Sequence, residues 1–146
     1  MAKTAIAVLA LISLGLGIRT FKIPVARAQN ACSVTSLQGT YGLAVDGYFY
    51  DTNGFQGVYA SAGVAVADGA GGITGTQTLN LDGTPARGVK FTGTYTINTD
   101  CSGTIMLKDS TGTSTNMDIV VTNGGKDVVL VDYDPDLILH GTAKLQ

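Results

Sequence analysis

The feature that most constrains this chain is an unbroken alternation of residue types in the segment 88–101. The odd-numbered positions from Val89 to Ile97 are apolar, aromatic or glycine, whereas the even-numbered positions between them hold lysine or threonine. A period of two is typical of a strand with one buried face and one solvated face. Residues 98–103 are turn formers and include Cys101, one of only two cysteines. The segment therefore predicts a strand that ends at a cysteine.

Other segments of the chain show the same strand pattern, at residues 39–50, 57–67, 73–81, 103–109, 114–122, 127–133 and 137–145. Short turns rich in glycine, aspartate and asparagine join them, and none is long enough for a crossover helix. All eleven acidic residues are aspartates, which favour turns over helices. We therefore predict an all-β fold, a single antiparallel up-and-down β-barrel of about eight strands of the calycin kind, because closure removes exposed sheet edges. A two-sheet β-sandwich is the alternative.

Three of these segments carry more specific expectations. Residues 123–126 read Asn-Gly-Gly-Lys and predict a hairpin with a two-residue type I′ turn, because asparagine and glycine tolerate the positive φ angles of that turn. The nearly continuous apolar run 127–133 predicts a strand that is covered on both faces. The strand at 57–67 has small residues on both faces, and we expect Ala60 and Ala62 to point inward.

The N-terminal segment 1–28 has the pattern of a signal peptide. Lys3 precedes an apolar run, and Ala26 and Ala28 occupy the positions that a signal peptidase reads. We predict export with cleavage after Ala28, which leaves residues 29–146 as one β-barrel domain in the periplasm or outside the cell. An uncleaved anchor and a lipoprotein modified at Cys32 are the alternatives, although the apolar run is shorter than the ~20 residues that span a bilayer.

The charge of the remaining chain excludes two classes of partner. Removal of residues 1–28 takes away four basic residues and leaves five against eleven aspartates, a net charge near −6. A basic surface for nucleic acid or for anionic lipid is absent from this composition. We therefore expect no nucleic-acid partner and no membrane partner after cleavage. The oligomeric state is not predicted.

The two cysteines, Cys32 and Cys101, predict a disulfide. An exported chain folds under oxidising conditions, where a lone pair of cysteines most simply forms one bridge. The bridge would tie the N-terminal end of the domain to the end of the strand at 88–97.

Several segments resemble those of a family of small exported bacterial all-β proteins without an assigned activity. They are residues 37–42, 67–76 and 93–104, together with the closing Asp134-Pro135 and residues 141–144. This resemblance implies an architecture and no catalytic residues. Strand number and length are more distantly similar to the allene oxide cyclase and dirigent-like barrels, at the level of fold only.

No arrangement of residues in the sequence predicts catalysis, a metal site or a cofactor. His140 is the only histidine, and alternation places it on the outer face of its strand. Three aspartates at 132, 134 and 136 resemble the opening of a calcium loop, but Leu137 stands where that loop needs glycine, so a structural β-turn is the better interpretation. The glycine-rich segment 68–72 precedes no helix and predicts a hairpin turn instead of a phosphate site.

The expected inner face is the one feature that points to a ligand. It combines bulky aromatic residues with glycine and alanine, so that the interior could hold a small hydrophobic molecule. The same mixture also fits a filled interior, the outcome that a barrel of about eight strands favours. The candidate ligand-binding residues are Tyr41, Phe49, Gln77, Phe91, Tyr95 and Tyr133.

Three functions are consistent with these observations. The leading hypothesis is a non-enzymatic exported barrel that binds a small hydrophobic molecule in its interior. The second is a cyclase or isomerase that confines an apolar intermediate and polarises it with Tyr41, Tyr95 or Gln77. The third is a structural or surface-interaction module that uses a threonine-rich outer face.

Overall fold

The protein is a closed eight-stranded antiparallel barrel in which each strand pairs with its neighbours in the sequence. A computed structural model describes residues 31–51 and 53–146, so the predicted signal peptide lies outside the described residues. The strands are β1 (Gln38–Asp51), β2 (Gly54–Asp68), β3 (Gly72–Leu81), β4 (Thr84–Ile97), β5 (Ser102–Asp109), β6 (Ser114–Thr122), β7 (Asp127–Asp132) and β8 (Leu137–Leu145).

Pairing between the first and last strands closes the barrel. Antiparallel partners run from Tyr41 opposite Leu145 to Phe49 opposite Leu137. The predicted up-and-down barrel is therefore confirmed, and the β-sandwich alternative is wrong. The predicted bounds of β6 and β8 agree with the structure, whereas β4 begins at Thr84, four residues before the predicted start.

Inward-facing glycines allow neighbouring strands to approach closely. A Cβ atom at Gly47 would meet the carbonyl oxygen of Ile138, and one at Gly141 would meet that of Ala44. These two glycines lie on β1 and β8, the pair that closes the barrel. Glycine at tight bends is a known requirement of curved sheets.

The turns use aspartate and glycine as predicted. Asp68 accepts hydrogen bonds from the N–H groups of Ala70 and Gly72 at 2.7 and 2.8 Å. These bonds lower the pKa of the Asp68 carboxyl below its ordinary value. Asn123, Gly124 and Gly125 have φ angles of 52°, 65° and 91°, which confirms the positive φ angles expected for this hairpin. The predicted two-residue turn is wrong, because the connection is the four residues 123–126 and contains a 3₁₀ turn at Asn123–Gly125.

One end of the barrel is closed by the chain that precedes β1. A single 3₁₀ turn at Val34–Ser36 leads into Leu37, which is buried with 2% exposure. Cys32 forms the predicted disulfide with Cys101, and the Cys32 N–H group donates to the Thr99 carbonyl at 3.1 Å. Residues 32–37 are thus fixed across the turn between β4 and β5. Within the described ranges, no helix has the length and apolar character needed to span a membrane.

Two predictions about individual strands are wrong. β7 is covered on one face only, because Val129 and Val131 are 52% and 49% exposed. On β2, Ala60 and Ala62 point outward, whereas Ser61 and Ala65 are buried. Valine and isoleucine favour strands on either face of a sheet, so an apolar residue alone does not identify the inner face.

Candidate functional site

The barrel contains a cavity of about 430 Å³ that opens at the end opposite the 3₁₀ turn. Its wall is formed mainly by aliphatic and aromatic side chains from all eight strands. Lining residues near the β3–β4 and β5–β6 turns, such as Leu81 and Thr113, are exposed and mark the mouth. Side chains therefore do not fill the interior, although a barrel of about eight strands favours a filled one. The lining residues include Leu43, Val45, Phe49, Gln77, Val89, Phe91, Leu107, Met117, Leu130 and Leu139.

Four of the six candidate ligand-binding residues line this cavity. Phe49, Gln77 and Phe91 lie along its wall, and Tyr41 lies toward the closed end. Alternation on β1, β3 and β4 places each of them inward, as the sequence predicts. Their role in binding stays a prediction.

Tyr95 is buried near the closed end of the barrel and is not part of the cavity wall. Its hydroxyl donates to the Leu37 carbonyl at 2.7 Å, and the Tyr95 N–H group donates to the Gly71 carbonyl at 2.8 Å. The Tyr41 hydroxyl donates in the same way to the Gly125 carbonyl at 2.6 Å. Burial raises the pKa of both tyrosines, so both remain protonated donors at neutral pH. Their hydroxyls hold the closed end together.

The expected inward position of Tyr133 is wrong. Its side chain is 51% exposed and is not part of the cavity wall. β7 ends at Asp132, and the inward positions of this strand are Val128, Leu130 and Asp132, so the next residue points outward. The aromatic character of Tyr133 misled the prediction, whereas counting alternate positions from Leu130 would have been correct.

Two polar side chains that sequence analysis missed face the cavity from β2 and β5. Tyr59 is half-buried in the wall, and burial raises the pKa of its hydroxyl against the opposing effect of the neighbouring Ser61 and Gln77 side chains. Asp109, the last residue of β5, lies at the mouth. Alternation from Ile105 would have identified Asp109 as inward-facing.

Asp132 is a second carboxylate that sequence analysis did not place inside. It is 8% exposed, and its Oδ1 accepts a hydrogen bond from the Asp134 N–H group at 2.7 Å. Its Oδ2 is buried without a hydrogen-bond partner in the described part of the chain. Burial raises the pKa of the Asp132 carboxyl against the opposing effect of the hydrogen bond from the Asp134 N–H group.

Another acidic residue of this loop, Asp134, has a structural role. It accepts hydrogen bonds from the N–H group and the side-chain amide of Asn116, both at 2.7 Å. This pairing ties the β7–β8 turn to β6, in agreement with the predicted structural turn. Among residues 31–51 and 53–146, no group of three or more His, Cys, Asp and Glu side chains converges to hold a metal ion.

His140 lies on the outer surface, as predicted. Its Nε2 is 3.5 Å from Oδ2 of Asp46, the cross-strand neighbour on β1, and both side chains are about two-thirds exposed. Exposed pairs of this kind contribute little to stability. Neither residue reaches the cavity.

Comparison with known structures identifies designed barrels of the same fold. A de novo designed fluorescence-activating β-barrel aligns over 77% of this chain and 96% of its own, with a TM-score of 0.53 and 14% sequence identity. A redesigned β-barrel, mFAP1, bound to DFHBI, aligns over 76% of this chain and 96% of its own, with a TM-score of 0.53 and 17% identity. At these identities the similarity extends to the fold alone.

Comparison with natural proteins adds no family. No protein-family model matches the chain, and no curated protein matches it. The resemblances to a family of exported bacterial proteins and to dirigent-like barrels therefore stay predictions.

Proposed function

We propose that this protein is an exported, non-enzymatic barrel that holds one small hydrophobic molecule in its interior. The observation that carries the proposal is the cavity of about 430 Å³, which is enclosed by apolar side chains and open at one end. Sites for small molecules are typically apolar hollows of ~300–1,000 Å³ with few polar groups. Removal of a ligand's apolar surface from water would supply the affinity, at roughly 25 cal/mol per Å².

The fold itself is suited to this role. A closed eight-stranded sheet is a rigid wall, and barrels of this size either fill with side chains or hold one small ligand. The redesigned barrel mFAP1 is described as bound to DFHBI, which gives a precedent for a small molecule in such a fold. Because that similarity extends to the fold alone, it supports a container and says nothing of the ligand's identity.

Export is the second part of the proposal. The disulfide between Cys32 and Cys101 is of a kind that forms and persists in an oxidising compartment. The signal-peptide pattern of residues 1–28 supports the same route. The N-terminal sequence of the protein recovered outside the cytoplasm would test it, and a chain that still begins at Met1 would contradict cleavage after Ala28.

Binding is tested by titration of the protein with a fluorescent apolar probe. Ala86 lines the mouth, so Ala86→Trp should block access and remove most of the binding. Ala44 lies exposed on the outer face of β1, and Ala44→Trp is the matched control that should bind as the unmodified protein does. Absence of a saturable site in the unmodified protein, or equal binding by the Ala86→Trp variant, would contradict the proposal.

The cyclase or isomerase alternative has less support. The Tyr41 and Tyr95 hydroxyls, which would polarise an intermediate, both donate to backbone carbonyls. Of the three residues considered for that role, only Gln77 lines the cavity without a hydrogen bond from its side chain to a backbone carbonyl in the described structure.

A further inference from the structure

Among the described residues that line the cavity, Asp109 is the only one of the types Asp, Glu, Lys, Arg and His. Its Oδ1 accepts hydrogen bonds from the Thr111 N–H group at 2.8 Å, the Thr111 hydroxyl at 2.6 Å and the Thr113 N–H group at 3.0 Å. Its Oδ2 accepts no hydrogen bond from the described residues. Partial burial raises the pKa of this carboxyl, but the bonds from Thr111 and Thr113 outweigh burial and hold the pKa below its ordinary value. Asp109 is therefore an anion at neutral pH, with one oxygen free.

No positive charge balances Asp109 within the cavity. None of the described lining residues is Lys, Arg or His. Lys108 alternates with Asp109 on β5 and belongs to the outer face, and Arg87 is exposed as well. Asp51, Asp82 and Asp136, at the other turns of the open end, are also exposed acids. The exposed bases Arg87, Lys90 and Lys108 lie at the same end and offset these exposed acids, so the uncompensated charge that an entering molecule meets is that of Asp109 on the cavity wall.

The remaining polar groups of the wall are uncharged. Burial is the main cause that raises the pKa of the Tyr59 hydroxyl. The negative charge of nearby Asp109 raises it further, by a smaller amount. The Tyr59 hydroxyl stays protonated and can donate, and Gln77 can donate or accept. Neither group provides the positive charge that a buried carboxylate ligand requires.

We infer that the cavity selects apolar molecules whose polar end is a cation or a hydrogen-bond donor, with alkylamines bound best, and that it rejects alkyl carboxylates. The apolar tail would lie among the aliphatic wall residues, and the ammonium group would reach the free Oδ2 of Asp109 at the mouth. A carboxylate in the same position would face a fixed anion without a counter-ion. This inference rests on the proposed function and specifies the chemistry of its ligand.

The test compares three ligands that share one alkyl chain, decylamine, decanol and decanoate. Each is titrated against the full-length protein with its bound fluorescent probe, at neutral pH and concentrations below those that form micelles. Displacement should follow the order amine, alcohol, carboxylate, with about a tenfold difference in affinity between the amine and the alcohol, the size expected for a charge-assisted hydrogen bond.

The variant Asp109→Asn isolates the charge. Its Oδ1 can still accept the three bonds from Thr111 and Thr113, so the turn is retained. The amine should lose its advantage over the alcohol, because the amide nitrogen that replaces Oδ2 is an uncharged donor and cannot accept from the ammonium group. Asp118→Asn, on the exposed face of β6, is the control and should preserve the order.

The outcomes separate this inference from the proposed function. If no ligand displaces the probe and the probe itself does not saturate, the interior is not a container, and both proposals fail. If the alcohol binds but the amine binds no better, or if Asp109→Asn leaves the order unchanged, the selectivity is wrong and the container remains.

Discussion

The ring of Phe91 lies against Gly75, its cross-strand partner on β3, and fills the space that a side chain at Gly75 would occupy. A Cβ atom there would also meet the carbonyl oxygen of Val64 on the opposite neighbouring strand. The ring covers the backbone of an inward-facing glycine, an arrangement that stabilises bends in curved sheets. The same ring forms part of the cavity wall, so the close approach of the strands at Gly75 and the shape of the cavity involve one contact.

Gly75→Ala should destabilise the protein, although alanine usually has a lower entropic cost than glycine in a strand. The added methyl group must displace Phe91 or the backbone of β2, at a cost of about 1–3 kcal/mol. Chemical denaturation measures the free energy of unfolding. Thr76→Ala on β3 is the control and should change it by less than about 0.5 kcal/mol, because Thr76 belongs to the outer face. A Gly75→Ala variant as stable as the control would show that the space beside Gly75 admits a side chain without displacing Phe91.

Tyr41→Phe should loosen the closed end of the barrel. The substitution leaves the buried Gly125 carbonyl without its hydrogen bond from the Tyr41 hydroxyl, at a cost of about 1–2 kcal/mol. Tyr48→Phe removes a hydroxyl from the same strand at a side chain that is 47% exposed, and serves as the control. Equal unfolding free energies for the two variants would contradict the role of Tyr41.

Loss of the disulfide should lower the unfolding free energy substantially. Cys32 and Cys101 are 69 residues apart, and closure of a loop of this length stabilises a fold by about 4 kcal/mol on the chain-entropy model. The double variant Cys32→Ser with Cys101→Ser should unfold at lower denaturant concentration than the oxidised protein. Reducing agent should shift the unmodified protein toward the variant and leave the variant unchanged. A reductant effect on the variant would assign the shift to another cause.

The contribution of Asp132 to the free energy of unfolding should fall as the pH rises from the acid range. Its pKa is raised in the folded state, so the folded protein binds more protons than the unfolded chain between the unfolded pKa near 3.8 and the higher folded value. The contribution of the protonated carboxyl is fully present below the unfolded pKa and is lost as the pH rises through the folded pKa.

Asp132→Asn therefore should stabilise the protein at neutral pH by on the order of 1 kcal/mol, because it removes a buried charge with an unpaired oxygen. The gain should disappear below the unfolded pKa, where Asp132 is neutral in both states. Asp118→Asn, at an exposed position, is the matched control for the loss of one aspartate from the chain. Unfolding free energies at acid and neutral pH measure the difference, and a gain that is independent of pH would contradict the assignment.

The period-two pattern determined the strands because alternation is a local property of the chain. The bounds of β6 and β8 followed from it, and so did the inward positions of Tyr41, Phe49, Gln77 and Phe91. The predicted pairing of Cys32 with Cys101 required only that both be the sole cysteines of an oxidised chain.

Tertiary structure alone decided which face of an ambiguous strand points inward and whether the interior is filled. β2 has apolar residues on both faces, so its inner face is set by its partners, through pairings such as Ser61 with Val45. The cavity depends on how side chains from eight strands meet across the barrel, a sum of volumes that no single segment encodes. For the same reason Asp109 becomes a mouth residue only once the sheet has closed, because closure brings the end of β5 near Tyr59.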